Sequence, residues 1–296
     1  MTASGTALRP FAPAAAKAPR ELTPLLLLPA IAMLVLMFLV PMVLFFVRTF
    51  MEFPGSTADF VVQAGDLLFS QPYLTALATT NWIALTVTAT VLLIGYPIAY
   101  YLTTATGPSV SVVVLSIVLP YFTSLIVRTF SWMVLLGEHG LINDGLRAIG
   151  LIAAPLTLMY NRLGVLIGMS YVLLPYMVLT LYAAMRSIDA AILRAAAGLG
   201  ASGFYTFRRV YFPLSLHGVL SGALIVYILS IGYFITPALM GGQHDIMIAM
   251  LIDRELEVAV DWPAAALMSL SLLVVTLGLY AAYYRVTDIR RLIGAR

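Results

Sequence analysis

Polar and aromatic side chains inside long apolar stretches are the residues of this sequence that could do chemistry. Aromatic rings can hold a cationic amine by cation–π attraction, and amides can complete the amine's hydrogen bonds. Trp and Tyr also favour membrane interfaces without binding any ligand, so both interpretations stay open for each residue. The candidate pathway residues of this kind are Asn81, Trp82, Tyr121, Trp132, Tyr171, Tyr176 and Tyr233.

Arg128 is the charged residue that lies deep in an apolar stretch, at residues 110–136. A charge in mid-membrane costs at least about 2.5 kcal/mol on insertion scales, so something must compensate it. Arg128 is either a gate or pathway residue facing a water-filled cavity, or a structural charge whose long side chain reaches the outer interface. It lies eight residues from the end of the stretch, which favours the structural role.

Most enzyme chemistry is excluded by what the sequence lacks. There is no cysteine, which excludes disulfides, thiolate metal sites and cysteine nucleophiles. The single lysine, Lys17, lies in the N-terminal tail, so this chain has no Walker-type phosphate loop and a partner must bind any ATP. The histidines lie far apart, and the apolar stretches contain no Asp or Glu. We therefore expect no catalytic residue, no metal site and no cofactor on this chain.

A glycine pattern at Gly198, Gly200 and Gly203 matches the dinucleotide-binding fingerprint letter for letter. That fingerprint requires a preceding strand and an acidic residue about 20 positions later. A helix-like run precedes these glycines instead, and no Asp or Glu occurs between Asp189 and Asp245. The pattern does not predict nucleotide binding, and the arginines are not clustered as nucleic-acid binding would require.

The elements that must position these residues are membrane helices. Of the 296 residues 62% are hydrophobic and 10% charged, with a mean hydropathy of +1.01, which is too little charge to cover a water-soluble core. A helix needs about 20 apolar residues to cross roughly 30 Å of hydrocarbon. The sequence predicts an all-α, polytopic protein of the lipid bilayer with six transmembrane helices, at 25–47, 74–101, 110–136, 164–185, 214–237 and 264–284.

The segments outside these spans predict the domain organisation and the orientation. Residues 1–24 carry four prolines and no apolar periodicity, which predicts a disordered tail. Residues 25–285 form the transmembrane domain, and residues 286–296 form a C-terminal tail. The segments on one side, including the loop 186–213, hold eleven Lys or Arg, and the opposite loops hold four. By the positive-inside rule, both tails and that loop are cytoplasmic.

Prolines and glycines within the spans predict kinks and close packing. A proline inside a helix removes a backbone donor, which suits a pathway that opens and closes, although membrane helices also tolerate proline generally. Gly164 and Gly168, and Gly218 and Gly222, are spaced for close approach of neighbouring helices. The prolines inside or at the ends of spans are Pro97, Pro120, Pro175 and Pro237.

The loop 186–213 reads as a helix, a glycine turn and a second helix. Ser187 or Asp189 can cap the first helix, and the glycines end it. Small residues around Gly200 would let the surface of another protein come close to the backbone. The alternative is an interfacial loop whose arginines meet anionic lipid head groups, and the residue types alone favour neither.

This loop resembles the cytoplasmic loop of binding-protein-dependent ABC importer permeases. The family pattern is Glu-Ala-Ala, three residues, Gly, nine residues, then Ile-x-Leu-Pro, and Ala195, Ala196, Gly200 and Pro213 match it with the right spacing. Arg194 occupies the position of the family's glutamate. The resemblance implies a coupling helix that docks into a groove of an ATPase subunit, through Arg194, Ala195, Ala196, Gly198, Gly200, Ala201, Ser202 and Pro213.

The resemblance extends over the chain from about residue 25. The stretches 119–144, 171–189, 235–242 and 261–263 are similar to the spermidine/putrescine branch, with its PotB- and PotH-like permeases. It implies a type I importer fold in a bacterial inner membrane, a second permease, a periplasmic solute-binding protein, and a pair of ATP-binding subunits that hold ATP and magnesium. The implied solute is a polyamine such as spermidine or putrescine; ferric ion, thiamine, phosphonate or another organic ion are alternatives.

Three further interpretations remain open at this point. The acidic residues of the predicted outer loop could attract a polyamine or contact its carrier protein, or could simply accompany the exclusion of arginine from that side: Asp245, Asp253, Glu255, Glu257 and Asp261. An ion-coupled secondary transporter would need intramembrane carboxylates, which the spans lack. A membrane scaffold without transport is excluded only weakly, and it leaves the spacing from Ala195 to Pro213 unexplained.

Overall fold

The computed structural model describes the backbone of residues 23–51, 53 and 55–294, and the side chains of residues 27–51, 53 and 55–285. These residues form helices and no strand, which confirms the all-α prediction. In chain order the helices are α1 (Thr23–Leu34), α2 (Val40–Met51), α3 (Thr57–Leu68), α4 (Gln71–Thr104), α5 (Pro108–Val118), α6 (Leu125–Leu136), α7 (Leu141–Ala148), α8 (Arg162–Arg186), α9 (Ala190–Gly198), α10 (Gly203–Thr206), α11 (Phe212–Ile231), α12 (Ile235–Met240), α13 (Ile248–Arg254) and α14 (Trp262–Gly294).

Six helical stretches of the described residues are long and apolar enough to cross a membrane. Each stretch has at least 18 residues, which exceeds the minimum of about 17 that a helix needs to cross the hydrocarbon layer. The predicted number of six is therefore confirmed, although the third stretch includes α6 and α7 and lies further along the chain than the predicted 110–136, and Pro108–Phe122 is a separate, shorter apolar helix. The stretches are Leu27–Met51, Gln71–Thr104, Leu125–Ala148, Arg162–Arg186, Gly203–Ile231 and Trp262–Arg285.

The chain divides into two compact units, Met1–Phe53 and Pro54–Arg296. In the first unit, α1 and α2 are joined by a π-helical turn at Val35–Leu39 into one apolar helix. The predicted tail 1–24 lies outside the described residues, apart from the first two residues of α1.

The core of the second unit is a bundle of α4, α8 and α11, which pack against one another. Each helix turns a stripe of fully buried side chains towards the other two, at intervals of about four residues. Because this spacing keeps the stripe on one face, each helix buries one side and leaves the other for lipid or a partner. The stripes include Ile83, Val87 and Val91 of α4; Met169, Leu173, Met177 and Leu181 of α8; and Gly222, Val226 and Ser230 of α11.

The predicted glycine contacts are confirmed in this core. A Cβ on Gly222 would lie 2.8 Å from the Met177 sulfur, and one on Gly218 would overlap the Ala184 Cβ. On the neighbouring face, a Cβ on Gly168 would lie 2.6 Å from the Thr236 methyl group. These glycines therefore set how closely α11 and α12 approach α8.

The third span departs from the prediction of one helix at 110–136. α5 ends at Val118, a 3₁₀ turn occupies Leu119–Phe122, two non-helical residues follow, and α6 begins at Leu125. Pro120 lies in the turn, where its missing N–H prevents the helical hydrogen bond that would continue α5. The span is consequently broken rather than kinked.

The fifth and sixth spans also differ from their predicted ends. α11 ends at Ile231, short of the predicted residue 237, and Pro237 lies in the separate short helix α12. The backbone of the predicted C-terminal tail, 286–296, continues α14 as a helix to Gly294. Pro97 and Pro175, in contrast, lie within the continuous helices α4 and α8.

We predict that Gly218→Ala lowers stability, because the added methyl group must push α11 away from Ala184. Overpacking of this kind costs about 1–3 kcal/mol. The measurement is the thermal unfolding midpoint of the purified protein in detergent. Gly278→Ala of α14 is the matched control, since a Cβ there meets no atom within 4 Å. Equal midpoints for the two variants would contradict the packing described here.

Candidate functional site

The loop 186–213 folds as the short helix α9, a glycine turn and a second helix, α10, which continues through a π-helical turn at Phe207–Tyr211 into α11. The Asp189 carboxylate accepts a hydrogen bond of 2.8 Å from the Ala191 N–H at the start of α9. The Ser202 hydroxyl accepts one of 3.3 Å from the Tyr205 N–H at the start of α10. Such caps stabilise a helix by about 1 kcal/mol, so a short helix can persist on an exposed loop.

The turn after α9 depends on Gly200. Its φ of +82° lies in the left-handed region that glycine adopts at no steric cost. The Ala201 N–H donates to the Ala196 carbonyl at 3.1 Å, and the Gly200 N–H donates to the Ala197 carbonyl at 3.0 Å. This is the Schellman arrangement, in which two otherwise unpaired carbonyls are satisfied at a helix end. Gly200 therefore fixes the angle at which the chain leaves α9.

The surface of this loop is apolar and open. Leu199 is 90% exposed and Phe204 is 75% exposed, although both are large hydrophobic side chains. A hollow of about 540 Å³ lies between the two helices, and no atom lies within 4 Å of a Cβ on Gly198 or Gly200. The hollow is lined by Ala196, Leu199, Gly200, Ala201, Ser202, Tyr205 and Val210.

The remaining residues of the predicted coupling set lie around this hollow or along the same loop. Arg194 and Ala195 are exposed residues of α9. Pro213 is the second residue of α11 and directly follows the π-helical turn at Phe207–Tyr211. The structure thus brings the set together on one continuous segment of chain.

A cluster of aromatic rings holds this loop against the end of α4. The Tyr100 ring lies 5.4 Å from the Phe207 ring and 5.1 Å from the Tyr211 ring, both edge to face. The Tyr211 hydroxyl lies 3.0 Å from the Thr103 hydroxyl. The sequence analysis missed this contact, although the four-residue spacing of Phe207 and Tyr211 is a signal for one buried helix face.

A second group of predicted residues meets at the break in the third span. The Arg128 guanidinium lies 5.7 Å from the centre of the Tyr121 ring, within cation–π range. The Tyr176 ring, from α8, lies 5.6 Å from the Tyr121 ring. Tyr233, in the turn before α12, lies near Arg128 and Tyr176. We call Tyr121, Arg128, Tyr176, Tyr233 and the neighbouring Thr236 the tyrosine–arginine cluster.

Several polar atoms of this cluster are buried without a hydrogen-bond partner. They are the hydroxyl oxygens of Tyr121, Tyr233 and Thr236 and the Nε of Arg128. Most buried polar groups in proteins are paired, and leaving one unpaired costs about 1–3 kcal/mol. The Tyr121 and Tyr233 hydroxyls lie beside those of Tyr176 and Thr236, with which they can pair after small shifts. The Arg128 Nε–H has no such neighbour and can donate to water or a solute.

Trp132 and Tyr171 form a separate pair. Their rings lie 5.3 Å apart, edge to face, between α6 and α8. They border a cavity of about 280 Å³ whose lining is almost entirely apolar. Ser170 also lines it and has a buried hydroxyl without a partner. The sequence analysis did not single out Ser170 or Thr236, since a lone hydroxyl in an apolar helix carries no spacing signal.

Asn81 and Trp82 have partners of their own, away from the cluster. The Tyr227 hydroxyl donates a hydrogen bond of 2.5 Å to the Asn81 amide oxygen, which links α11 to α4. The Arg162 guanidinium lies 4.8 Å from the centre of the Trp82 ring. These contacts join helices of the bundle, and the predicted pathway residues consequently fall into three groups rather than one.

Two of the acidic residues between 245 and 261 form contacts that stabilise the fold. Arg162 donates a hydrogen bond of 2.9 Å to the buried Asp245 carboxylate, which also accepts from the Gly242 N–H. Asp261 caps α14 by accepting from the Ala264 N–H at 3.0 Å. Asp245 and Asp261 therefore stabilise the fold, and within the described part of the chain no three His, Asp or Glu side chains lie close enough to hold a metal ion.

Comparison with known proteins identifies the family of this chain. Residues 91–289 match the family described as binding-protein-dependent transport system inner membrane component. The spermidine/putrescine permease PotB of Haemophilus influenzae is 34% identical over 66% of this chain and 68% of that protein. PotB of Escherichia coli is 32% identical over 68% of this chain and 74% of that protein.

A solved structure shares the fold. The bacterial ABC transporter that imports the acidic polysaccharide alginate contains a chain that matches with a TM-score of 0.65 at 20% identity, over 90% of this chain and 96% of that one. At this identity the likeness concerns the fold, which is the ABC importer permease fold that the family resemblance implied. The chain belongs to the family of binding-protein-dependent transport system inner membrane components, and it is a permease subunit of an ABC importer.

Proposed function

We propose that this chain is one of two permease subunits of an importer that moves a polyamine, such as spermidine or putrescine, into the cytoplasm by alternating access. The similarity to the PotB permeases, at 34% and 32% identity, supports this substrate class. The chain itself catalyses no reaction. ATP and magnesium belong to a dimer of ATPase subunits, and a periplasmic binding protein delivers the solute.

The exposed apolar surface of the loop 186–213 carries the coupling part of this proposal. Leu199 and Phe204 flank a turn that is fixed by Gly200, and neither side chain is covered by the chain itself. Burial of a large apolar side chain contributes about 1.5–3 kcal/mol, so a partner that covers these two gains substantially from docking. The partner in this proposal is the ATPase, whose closure moves α9 and the turn together.

Arg194 changes the electrostatics of this contact. An exposed residue in the middle of α9, it takes the position of the family's glutamate. A positive charge there requires an acidic or neutral surface on the ATPase, because two like charges brought together would oppose docking. This importer is thus paired with an ATPase whose groove differs in charge from one that receives glutamate.

The orientation follows from the arginines. Arg186, Arg194, Arg208 and Arg209 all lie on the loop 186–213, and the positive-inside rule supports a cytoplasmic location for it. An even number of spans then puts both termini on the cytoplasmic side of the inner membrane. The opposite surface, including the acidic residues near α13, faces the binding protein.

The pathway in this proposal passes the tyrosine–arginine cluster. Irregular backbone at membrane depth is tolerated only where protein covers it or a water-filled cavity borders it. The break at Thr123 and Ser124 is exposed in this chain, so the second permease and the pathway must lie against it. Broken helices near the midplane also form the solute sites of other transporters.

We predict that Leu199→Asp releases the ATPase while leaving the permease folded. The side chain is 90% exposed, so the substitution removes no packing within the chain, yet it places a charge in the proposed interface. The measurement is the amount of ATPase that copurifies with the permease from mild detergent, and we expect a loss of at least about tenfold, equivalent to ~1.4 kcal/mol.

Leu151→Asp is the matched control for this experiment. Leu151 is 68% exposed and lies in the loop 137–163, on the opposite side of the membrane in the proposed orientation. The control should copurify normally. Undiminished ATPase binding by Leu199→Asp, or an equal loss in both variants, would contradict the coupling role of the loop.

We predict that the assembled importer in proteoliposomes takes up radiolabelled spermidine when ATP and the binding protein are supplied. Unlabelled putrescine should compete, because both solutes present primary ammonium groups at the ends of an aliphatic chain. Omitting ATP or the binding protein should reduce uptake to the background level. Uptake of thiamine or ferric ion without uptake of either polyamine would overturn the proposed substrate class.

A further inference from the structure

In the proposed function α5 and α6 cross the membrane together, which puts the tyrosine–arginine cluster close to the middle of the hydrocarbon layer. The 11 residues of α5 rise about 16 Å at 1.5 Å each, roughly half of a 30 Å hydrocarbon layer, before the chain breaks at Thr123. Phe122, at the break, is 86% exposed in this chain. Given the proposed function, on which this inference rests, that exposed break borders the pathway.

The charge of Arg128 is not neutralised within the described residues. No carboxylate pairs with it, and its Nε is buried without a hydrogen bond. The aromatic side chains around it are those of Tyr121, Tyr176 and Tyr233. The predicted spans contain no Asp or Glu that a conformational change could bring to it. This half of the pathway therefore carries a fixed positive charge.

The guanidinium also occupies the position that a cationic solute would seek. Aromatic faces attract ammonium groups, and the Tyr121 ring already has Arg128 at 5.7 Å from its centre. An ammonium that approached this ring would meet a like charge at short range, in surroundings of low dielectric constant where repulsion is strong. A site built only to bind amines would instead place a carboxylate beside the rings.

We propose that Arg128 is a charge gate of the importer. When the pathway is closed, its guanidinium lies on the Tyr121 ring and repels small inorganic cations, which would otherwise leak through a pathway wide enough for a polyamine. An arginine that excludes cations in this way is a known device of selective pores. When the pathway opens, movement of α6 relative to α8 takes the guanidinium off the ring, and the cargo then gains access to the aromatic faces.

The test is the leak of rubidium ions from proteoliposomes that contain the assembled importer, without ATP and without the binding protein. We expect Arg128→Met to raise the leak at least about tenfold, equivalent to ~1.4 kcal/mol of barrier. Arg128→Lys keeps the charge and should stay near the wild-type level. Arg147→Met, at an exposed arginine of α7, is the control for loss of an arginine elsewhere.

A second solute distinguishes a side chain that excludes ions by its charge from one that blocks the pathway by its size. The leak of uncharged mannitol should be unchanged in Arg128→Met. An equal rise for rubidium and mannitol, or no rise for rubidium, would overturn the proposal. Removal of a charge from mid-membrane lowers the cost of insertion, so assembly should be retained. Should Arg128→Met fail to copurify with the ATPase, Arg128→Gln gives the same readout.

The wild-type importer supplies an independent measurement. Its residual ion leak should favour chloride over rubidium, because the fixed charge attracts anions, and a rubidium-selective leak would contradict the gate. These measurements use no polyamine, so they can fail while spermidine uptake succeeds. Conversely, absence of spermidine uptake with a rubidium leak that depends on the charge at residue 128 would overturn only the substrate.

Discussion

The absence of water in the hydrocarbon layer is the constraint on which this structure depends. A backbone N–H or C=O there must find its partner inside the protein, because an unsatisfied group costs several kcal/mol. Long helices satisfy the constraint, and α4, α8 and α11 do so while burying one face against each other. The helices are interrupted at Thr123 and Ser124 and again at the turn between α11 and α12. Residues from both interruptions form the tyrosine–arginine cluster.

The same helices connect the cluster to the loop 186–213. α8 carries Tyr176 and ends at Arg186, where the loop begins. α11 begins at Phe212, where the loop ends, and leads to the turn that holds Tyr233. Since α8 and α11 pack closely through Gly218 and Gly222, a displacement of the loop would move Tyr176 and Tyr233 together, relative to Arg128 on α6. In the proposed function, ATP hydrolysis reaches the pathway along this pair.

Patterns that depend on local sequence were predictable, and contacts between distant residues were not. Length and hydropathy predicted six spans, and the spacing from Ala195 to Pro213 predicted the loop, because both are set within one helix or turn. Pro120 signalled an interruption, although not that two further residues would leave the helix. The pairing of Arg162 with Asp245, 83 residues apart, depends on how the helices pack, and no spacing rule predicts it. The division of the predicted pathway residues into three groups could not be predicted for the same reason.

The exposed Leu199 and Phe204 affect the life of the subunit before it has a partner. In the proposed function, a permease inserted ahead of its ATPase would present both side chains to the cytosol, where exposed apolar surface promotes aggregation and attracts chaperones and proteases. The same apolar surface that would bind the ATPase would then also distinguish a subunit that has not assembled. Because docking would cover Leu199 and Phe204, proteases would remove only unassembled permease. The numbers of permease and ATPase subunits would then stay matched without any additional signal.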